Sequence, residues 1–525
     1  MNDTKVCFIT CVNNDHEYSE SLKYINSLYI PDGFTVETIG VKDASSMTEG
    51  YQAAMMQSDA KYKVYLHQDI FIINKNFIKD IITLFSNNAK LGLLGVVGAE
   101  KMSVNGIWWE SPRLYGKFYD SHTGKMERFS FNEAESDYMA VQTIDGLIMV
   151  TQYDINWRTD LFQGWHFYDA SQSAEFIRAG YEVGVPTQQE PWVIHDSDIA
   201  SLVGFEEAKA IYMEEYTKDI FPLVSVLIPA YNRRNYLELA LQSVLAQTYK
   251  NIEIIISDDS TNNEVQEMLK PYLQNYKHIH YIKNEPSLGR ENFIQCFKLS
   301  NGEYINFLMD DDLFHPRKIE RMIHYYMSDS SIALVTSYRE LIDESGHPLP
   351  SQDFNTKLFD KDTIIDGKEL GNLVLSTMTN FIGEPTTVLF KKKDIQFYGT
   401  YKDTDHEYNA IIDVAVWIEL LAKGKGVYIS EPLSYFRRHN DQVQGNPLYY
   451  YFHISNWYNI FQDARRDGFL SNPKDYKNAL AKYINSCINV INFYNNVDKS
   501  YVIIENNLEN YIVQALKDLI SLPNK

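Results

Sequence analysis

Cysteine is scarce, with four in 525 residues. Cys7 and Cys11 fall on one expected strand, and Cys296 and Cys487 stand alone. No CxxC pair or Cys/His zinc spacing occurs, so a disulfide framework and a structural zinc site are excluded. A reducing compartment is expected. Long apolar runs are also missing. Stretches such as Leu91–Ala99 are far too short to cross a bilayer. The segment Met1–Val6 lacks the basic start and apolar stretch of a signal peptide. The expectation is a cytoplasmic protein with no transmembrane segment. Positive charge is in deficit, with 48 Lys and Arg against 70 Asp and Glu, a net charge of −22. Such a chain is ill suited to coating nucleic acid. An anionic nucleotide is still admissible where a metal ion inverts the field of a few carboxylates.

What the sequence does have is core-forming material: 45% hydrophobic and 14% aromatic residues. Disorder is excluded as the main state, and the length suggests about three domains. Val6–Val12, Val36–Val41 and Tyr62–Leu66 read as strands, with a helix-like stretch over Glu17–Leu28. The pattern restarts after Pro222: Leu223–Ile228, Ile252–Ser257 and Glu303–Leu308 read as strands and Tyr236–Gln247 as an amphipathic helix. Strands alternating with helices imply a mostly parallel sheet covered by helices. Ligands bind beyond the carboxyl ends of such strands. The acidic, aromatic stretch Glu206–Asp219 is expected to be a helix joining the two halves. From Asn446 onward, Tyr, Asn, Ile and Leu recur at helical spacing, which reads as a small helical appendage. Its Tyr449–Phe452 and Trp457–Tyr458 clusters read as packing rather than as a sugar platform.

Three ordered motifs mark the second half: Val224–Asn232, Gln247–Ser260 and Gly302–Asp312 with Pro316. Together they resemble the family 2 glycosyltransferases, over about Leu223–Gln444. The resemblance implies a GT-A fold and a nucleotide-sugar donor, UDP-linked by preference. A departing diphosphate calls for a divalent cation, Mn²⁺ or Mg²⁺, held by hard carboxylate oxygens. By resemblance, Asp311 takes the metal position, Asp310 the adjoining nucleotide contact, and Asp312 assists. Met309 departs from the commoner form, in which an acid follows the Leu. Tyr231 is placed against the base, Pro229 lines the same loop, and Asp259 matches the acid that bonds the uracil-like edge. Arg290 and Asn292 lie where the family contacts the nucleotide. An exposed helix-start arginine is the other reading of Arg290. Asp413 corresponds to the general base that deprotonates the acceptor hydroxyl, and one such base suffices for inversion. His439, closing Pro432–His439, is placed at the metal or diphosphate.

The first half repeats this arrangement. Ile9–Asn13 aligns with Ile228–Asn232, and Tyr62–Asp69 with Tyr304–Asp311. Asp69 thereby falls on Asp311. Asp169 falls on Asp413, with Gly180 and Gly424 at equal distances beyond and His195 and His439 at equal offsets. Internal repetition on this scale suggests two domains of one fold. His67-Gln-Asp69 and Ser46–Tyr51 resemble a more divergent glycosyltransferase-like family. The implied assignments are Asp69 and His195 to a metal, Asp169 as base, and Thr10 and Asp43 to the donor. Val12 replaces the aromatic residue of the other half. Asp145 and the Trp165–His166 pair fit either an acceptor site or a turn beside a packed aromatic edge.

The expected architecture is α/β: GT-A-like domains at 1–220 and 221–445 and a helical region at 446–525. The expected activity is inverting transfer of a sugar to a hydroxyl of a glycan or glycoprotein, with one active site per GT-A domain. The C-terminal helices are candidates for a homo-oligomer contact. The rival is a single active site, with the first domain a binding or scaffolding module. A nucleotidyltransferase is disfavoured, because its Gly-rich first loop is missing.

Overall fold

The computed structural model describes residues 1–197, 201–396, 398–406, 408–439, 449–496 and 507–522. The boundary expected at 445/446 lies outside these residues. The chain divides into two compact units, Met1–Phe221 and Pro222–Lys525.

The first unit is built on a seven-stranded sheet. Its order is Thr35–Lys42, Asn2–Val12, Ala60–Leu66, Ile148–Thr151, Leu91–Gly95, Glu182–Pro186, Tyr138–Val141. The second unit runs Ile279–Lys283, Ile252–Asp258, Val224–Ala230, Tyr304–Phe307, Leu389–Lys391, Ile332–Ile342, Lys425–Arg437, Leu313–Phe314. Six consecutive strands correspond. From Thr35–Lys42 to Glu182–Pro186 the pairings run parallel, parallel, antiparallel, antiparallel, parallel. From Ile252–Asp258 to Lys425–Arg437 the sequence of pairings is the same. The internal repeat of the sequence is thus a repeat of topology.

The near-continuous apolar runs explain the central strands. Val224–Ala230 and Ile252–Asp258 are buried at every position, as strands covered on both faces must be. The edge strand Thr35–Lys42 alternates between covered and exposed positions. A second sheet in the first unit, not anticipated from the sequence, includes Ile70–Ile72, Val193–His195 and the hairpin Leu114–Asp120 with Glu127–Ser130.

The helix Phe205–Ile220 is the last element of the first unit and leads into Pro222. Arg178, on helix Tyr168–Arg178, bonds Glu215 and Asp219 of that helix, and Gln142 Nε2 donates to the Ile220 carbonyl. The C-terminal helices are not an appendage. Tyr451, Trp457, Tyr458 and Phe461 of helix Tyr449–Arg466 share one core with Val414, Trp417 and Phe390. Asn456 Oδ1 accepts the backbone N–H groups of Asn409 and Ala410. Tyr451, Trp457 and Tyr458 therefore pack, as their helical spacing suggested, while Tyr450 stays exposed.

Candidate functional site

In the second unit the acids after strand Tyr304–Phe307 face different partners. Asp310 Oδ2 accepts the Tyr231 N–H at 2.8 Å, tying this turn to the loop after the first strand. Arg233 Nη1 stands 2.9 Å from both Asp310 Oδ1 and Asp311 Oδ2. His439 Nε2 also lies 2.9 Å from Asp311 Oδ2. Asp312 is fully buried and turns inward, accepting from the Thr386 hydroxyl and the Arg437 N–H. Burial pushes the Asp310 carboxyl up to about 6, with Arg233 opposing and Asp311 adding to the rise. Asp312 rises well above the carboxylate range for the same reason, reinforced by Asp311.

A cavity of about 320 Å³ opens beside this turn, lined by Arg233, Arg290, Asp311, Glu384 and Asp413 among others. Asp413 sits in the first turn of helix Ile412–Leu421 and accepts from Asn380 Nδ2 at 2.8 Å. Burial raises its pKa to about 7, with Glu384 adding to the rise. Arg290 Nη2 donates to the Gly399 carbonyl at 2.6 Å. Asp259, Asn292 and Pro229 are buried outside this lining. Asp259 accepts from Asn284 Nδ2 and the Gly289 N–H, and Asn292 Nδ2 donates to the Ser257 carbonyl. Tyr231 is 52% exposed.

The first unit repeats the core of this geometry. Asp69 and His195 meet, Nε2 lying 3.5 Å from Oδ1. The antiparallel register that pairs His195 with Ile70 brings them together. His67 completes a group whose ligand atoms all lie within 4.8 Å of one another, the one such trio found among the described residues. His195 Nδ1 is held 2.9 Å from Asp120 Oδ2. Burial alone would lower the His195 pKa, but Asp120 and Asp69 outweigh it and hold it at about 10. Burial depresses His67 to about 4. The Tyr168 hydroxyl bonds His67 Nε2. Gln68 occupies the place of Asp310, with its Oε1 accepting the N–H groups of Asn13 and Asn14.

Asp169 stands in the first turn of helix Tyr168–Arg178, and its Oδ2 accepts the Gly146 N–H at 3.0 Å. A Cβ at position 146 would lie 2.1 Å from the Tyr168 hydroxyl, so this approach needs glycine. Burial, then the neighbouring Asp145, raises Asp169 to about 7. Asp145 is itself raised by burial and accepts the Leu147 N–H. A cavity of about 530 Å³ is lined by Asp43, His67, Asp69 and Trp165 among others. Thr10 is buried within its strand and is not part of that lining. His166 packs its ring edge-on against Phe205.

Residues 225–386 match glycosyl transferase family 2, and residues 7–216 match a glycosyltransferase-like family. An uncharacterized glycosyltransferase of Rickettsia typhi is 32% identical over 233 residues, 43% of this chain and 67% of that protein. The chain belongs to the family 2 glycosyltransferases. A putative teichuronic acid biosynthesis glycosyltransferase of Bacillus subtilis, TuaG, is 27% identical over 229 residues, 43% of this chain and 82% of its own. Further relatives from Rickettsia prowazekii, Rickettsia bellii and Methanocaldococcus jannaschii are spanned over less than half of their length. Among solved structures, Staphylococcus aureus TarS 1-349 in complex with UDP-GlcNAc aligns at a TM-score of 0.35 and 15% identity, over 55% of this chain and 92% of that one. This family 2 glycosyltransferase thus carries its two matched domains in tandem, one in each unit.

Several residues that shape its two sites carried no sequence signal. Arg233 stands two residues beyond the aromatic loop position, and nothing in the chain's pattern marks it. Asp120 comes from a hairpin that the alignment of the halves does not reach. Asn380, which orients Asp413, lies in an irregular loop. Gln68 and His67 were inside the quoted motif, and only the pairing of the two turns reveals what they hold.

Proposed function

We propose that each unit carries an active site of a metal-dependent, inverting glycosyltransferase. Such an enzyme moves a sugar from a nucleotide sugar, UDP-linked by preference, to a hydroxyl of a glycan or glycoprotein. The observation that carries the reading is a repeated pair of features. Each unit sets an acid against a histidine, Asp69–His195 and Asp311–His439. Each also holds a second acid in the first turn of a helix with its pKa lifted to about 7, Asp169 and Asp413. A carboxylate with a pKa near the working pH is basic enough to take the proton of an acceptor hydroxyl and still ionised enough to do so.

A divalent ion supplies neutralisation of the charge that builds on the departing diphosphate. In the first unit the donor set suits one. Asp69 Oδ1 is enclosed without a hydrogen-bond partner and faces two imidazoles. His67, Asp69 and His195 would hold the ion there. In the second unit Asp311 and His439 would hold it together with donor oxygens, a set of few protein ligands that suits Mg²⁺ or Mn²⁺. Asp310 positions the nucleotide loop through the Tyr231 N–H, Asp312 braces the turn, and Arg233 and Arg290 face the donor's phosphates. Tyr231, Pro229, Asp259 and Asn292 form or support the base-binding loop, as Asp43 and Thr10 do in the first unit.

No helix among the described residues is long and apolar enough to cross a membrane, and all four cysteines are free. The free thiols support the reading of a reducing, cytoplasmic compartment. The exposed stripe Val513, Leu516 and Ile520 on the last helix supports a contact between copies.

The test is a comparison of Asp69→Ala with Asp311→Ala, using mass spectrometry of acceptors incubated with candidate nucleotide sugars. Each should lose a different transfer step by about 10²–10³-fold. If Asp69→Ala and a folded Asp169→Asn leave every product unchanged, the first unit is a binding module.

A further inference from the structure

A second cavity, of about 600 Å³, also has Asp413 in its lining. It shares Glu384, Ala410, Asp413, Phe436 and Tyr449 with the smaller cavity that holds Asp311. Asp413 is therefore common to two chambers, of which the smaller is also lined by Asp311 and the larger is not. The larger chamber takes Tyr449, His453 and Trp457 from successive turns of helix Tyr449–Arg466. That helix lies beyond the residues matched to family 2.

The chemistry of this wall is specific. Trp457 is 1% exposed, and its indole Nε1 is enclosed with no hydrogen-bond partner. An unused buried donor of this kind costs free energy unless a ligand accepts from it. Tyr449, Phe436 and Phe354 add aromatic surface, which suits the C–H face of a sugar ring. Two arginines line the same chamber. Arg339 is paired with Glu384. Arg438 lies over the rings of Phe354 and Phe436 and meets no carboxylate within ion-pair distance among the described residues. Burial lowers the His453 pKa. The chamber's wall thus holds one guanidinium with no carboxylate partner among the described residues, one enclosed N–H without a partner and an aromatic lining, next to the candidate base.

We infer that this chamber is the acceptor subsite, that helix Tyr449–Arg466 is its specificity wall, and that it takes a saccharide bearing a carboxylate or phosphate, bound by Arg438. The inference rests on reading Asp413 as the base. The Asn456 bonds to the Asn409 and Ala410 N–H groups fix the helix to the loop that leads into Asp413, so wall and base are held in one register.

The experiment uses the full chain with UDP and Mn²⁺, so that no sugar can be transferred. Binding of three probes is measured by saturation-transfer NMR: methyl β-glucuronide, glucose 1-phosphate and neutral methyl β-glucoside. At least one anionic probe should bind about tenfold tighter than the neutral one, the scale of one charge-assisted hydrogen bond. Which anionic probe wins distinguishes carboxylate from phosphate. Arg438→Gln should erase the preference while the neutral probe still binds. Trp457→Phe keeps the ring but removes the N–H, and should weaken the preferred probe by roughly fivefold. Equal affinities, no binding of any probe, a preference that survives Arg438→Gln, or indifference to Trp457→Phe each overturn the inference. UDP affinity is read on the same samples with and without Mn²⁺. An affinity independent of the ion tells against the donor reading and leaves the probe comparison standing.

Discussion

Asp413 and Asp169 are stored at an energetic cost. Each has a folded pKa of about 7 against the ordinary aspartate value of 3.8. Between those values the folded chain holds a proton that the unfolded chain has released. Stability therefore falls as pH rises through that window. Asp413→Asn removes the charge and keeps the shape. Its Tm should exceed that of the native protein at pH 8, and the gap should close towards pH 4. The same variant should keep donor binding and lose transfer by roughly 10²–10⁴-fold. The native transfer rate should climb with pH and level off above about 7. A variant that is less stable at pH 8, or a rate that ignores pH across this range, removes the buried-base assignment. Much at this scale was legible in sequence. The Asp69–His195 and Asp311–His439 meetings accord with the family resemblance, which places each acid and its histidine at one metal, and with the parallel between the two halves. The inward turn of Asp312 was not legible, because three adjacent acids look alike until a strand end decides which way each one faces.

At the scale of elements, the supports of a site come from segments that its motifs do not contain. The hairpin strand Leu114–Asp120 runs parallel to Val193–His195 and sets Asp120 opposite His195 in register. That carboxylate fixes which imidazole nitrogen is free, the usual outer support of a metal-binding histidine. Asp120→Asn should lower Mn²⁺ affinity of the first unit by about 10–100-fold without unfolding it. Electron paramagnetic resonance titration of the full chain carrying Asp311→Ala, so that only the first unit responds, provides the check. Unchanged affinity would remove Asp120 from the site. The central strands were read within a few residues, since Val/Ile runs such as Ile252–Asp258 leave little choice. The second sheet was missed. Its members are as short as Ile70–Ile72 and Val193–His195, and pairings between distant short strands leave almost no local pattern.

At the scale of the whole molecule, the texture change near residue 446 marks a change in composition and not a separable part. Trp457, Ile460 and Phe461 are each buried to 1% exposure or less in the core that contains Trp417. Burying one such side chain contributes roughly 1.5–3 kcal/mol, so losing the helix exceeds the usual stability margin of about 5–15 kcal/mol once its neighbours are counted. A chain ended at residue 445 should fail to give a cooperative melt for its second unit, while the unit Met1–Phe221 still melts on its own. Calorimetry of the shortened chain decides it, and two intact transitions would show the helices to be dispensable. The matched order and direction of six strands in each unit has a further consequence. Both units are translated from one message as one polypeptide, so they reach the cell in a fixed ratio of one to one. Changing expression scales them together. With an active site in each half, as proposed, the balance of their products is set by turnover and ligands, and never by abundance.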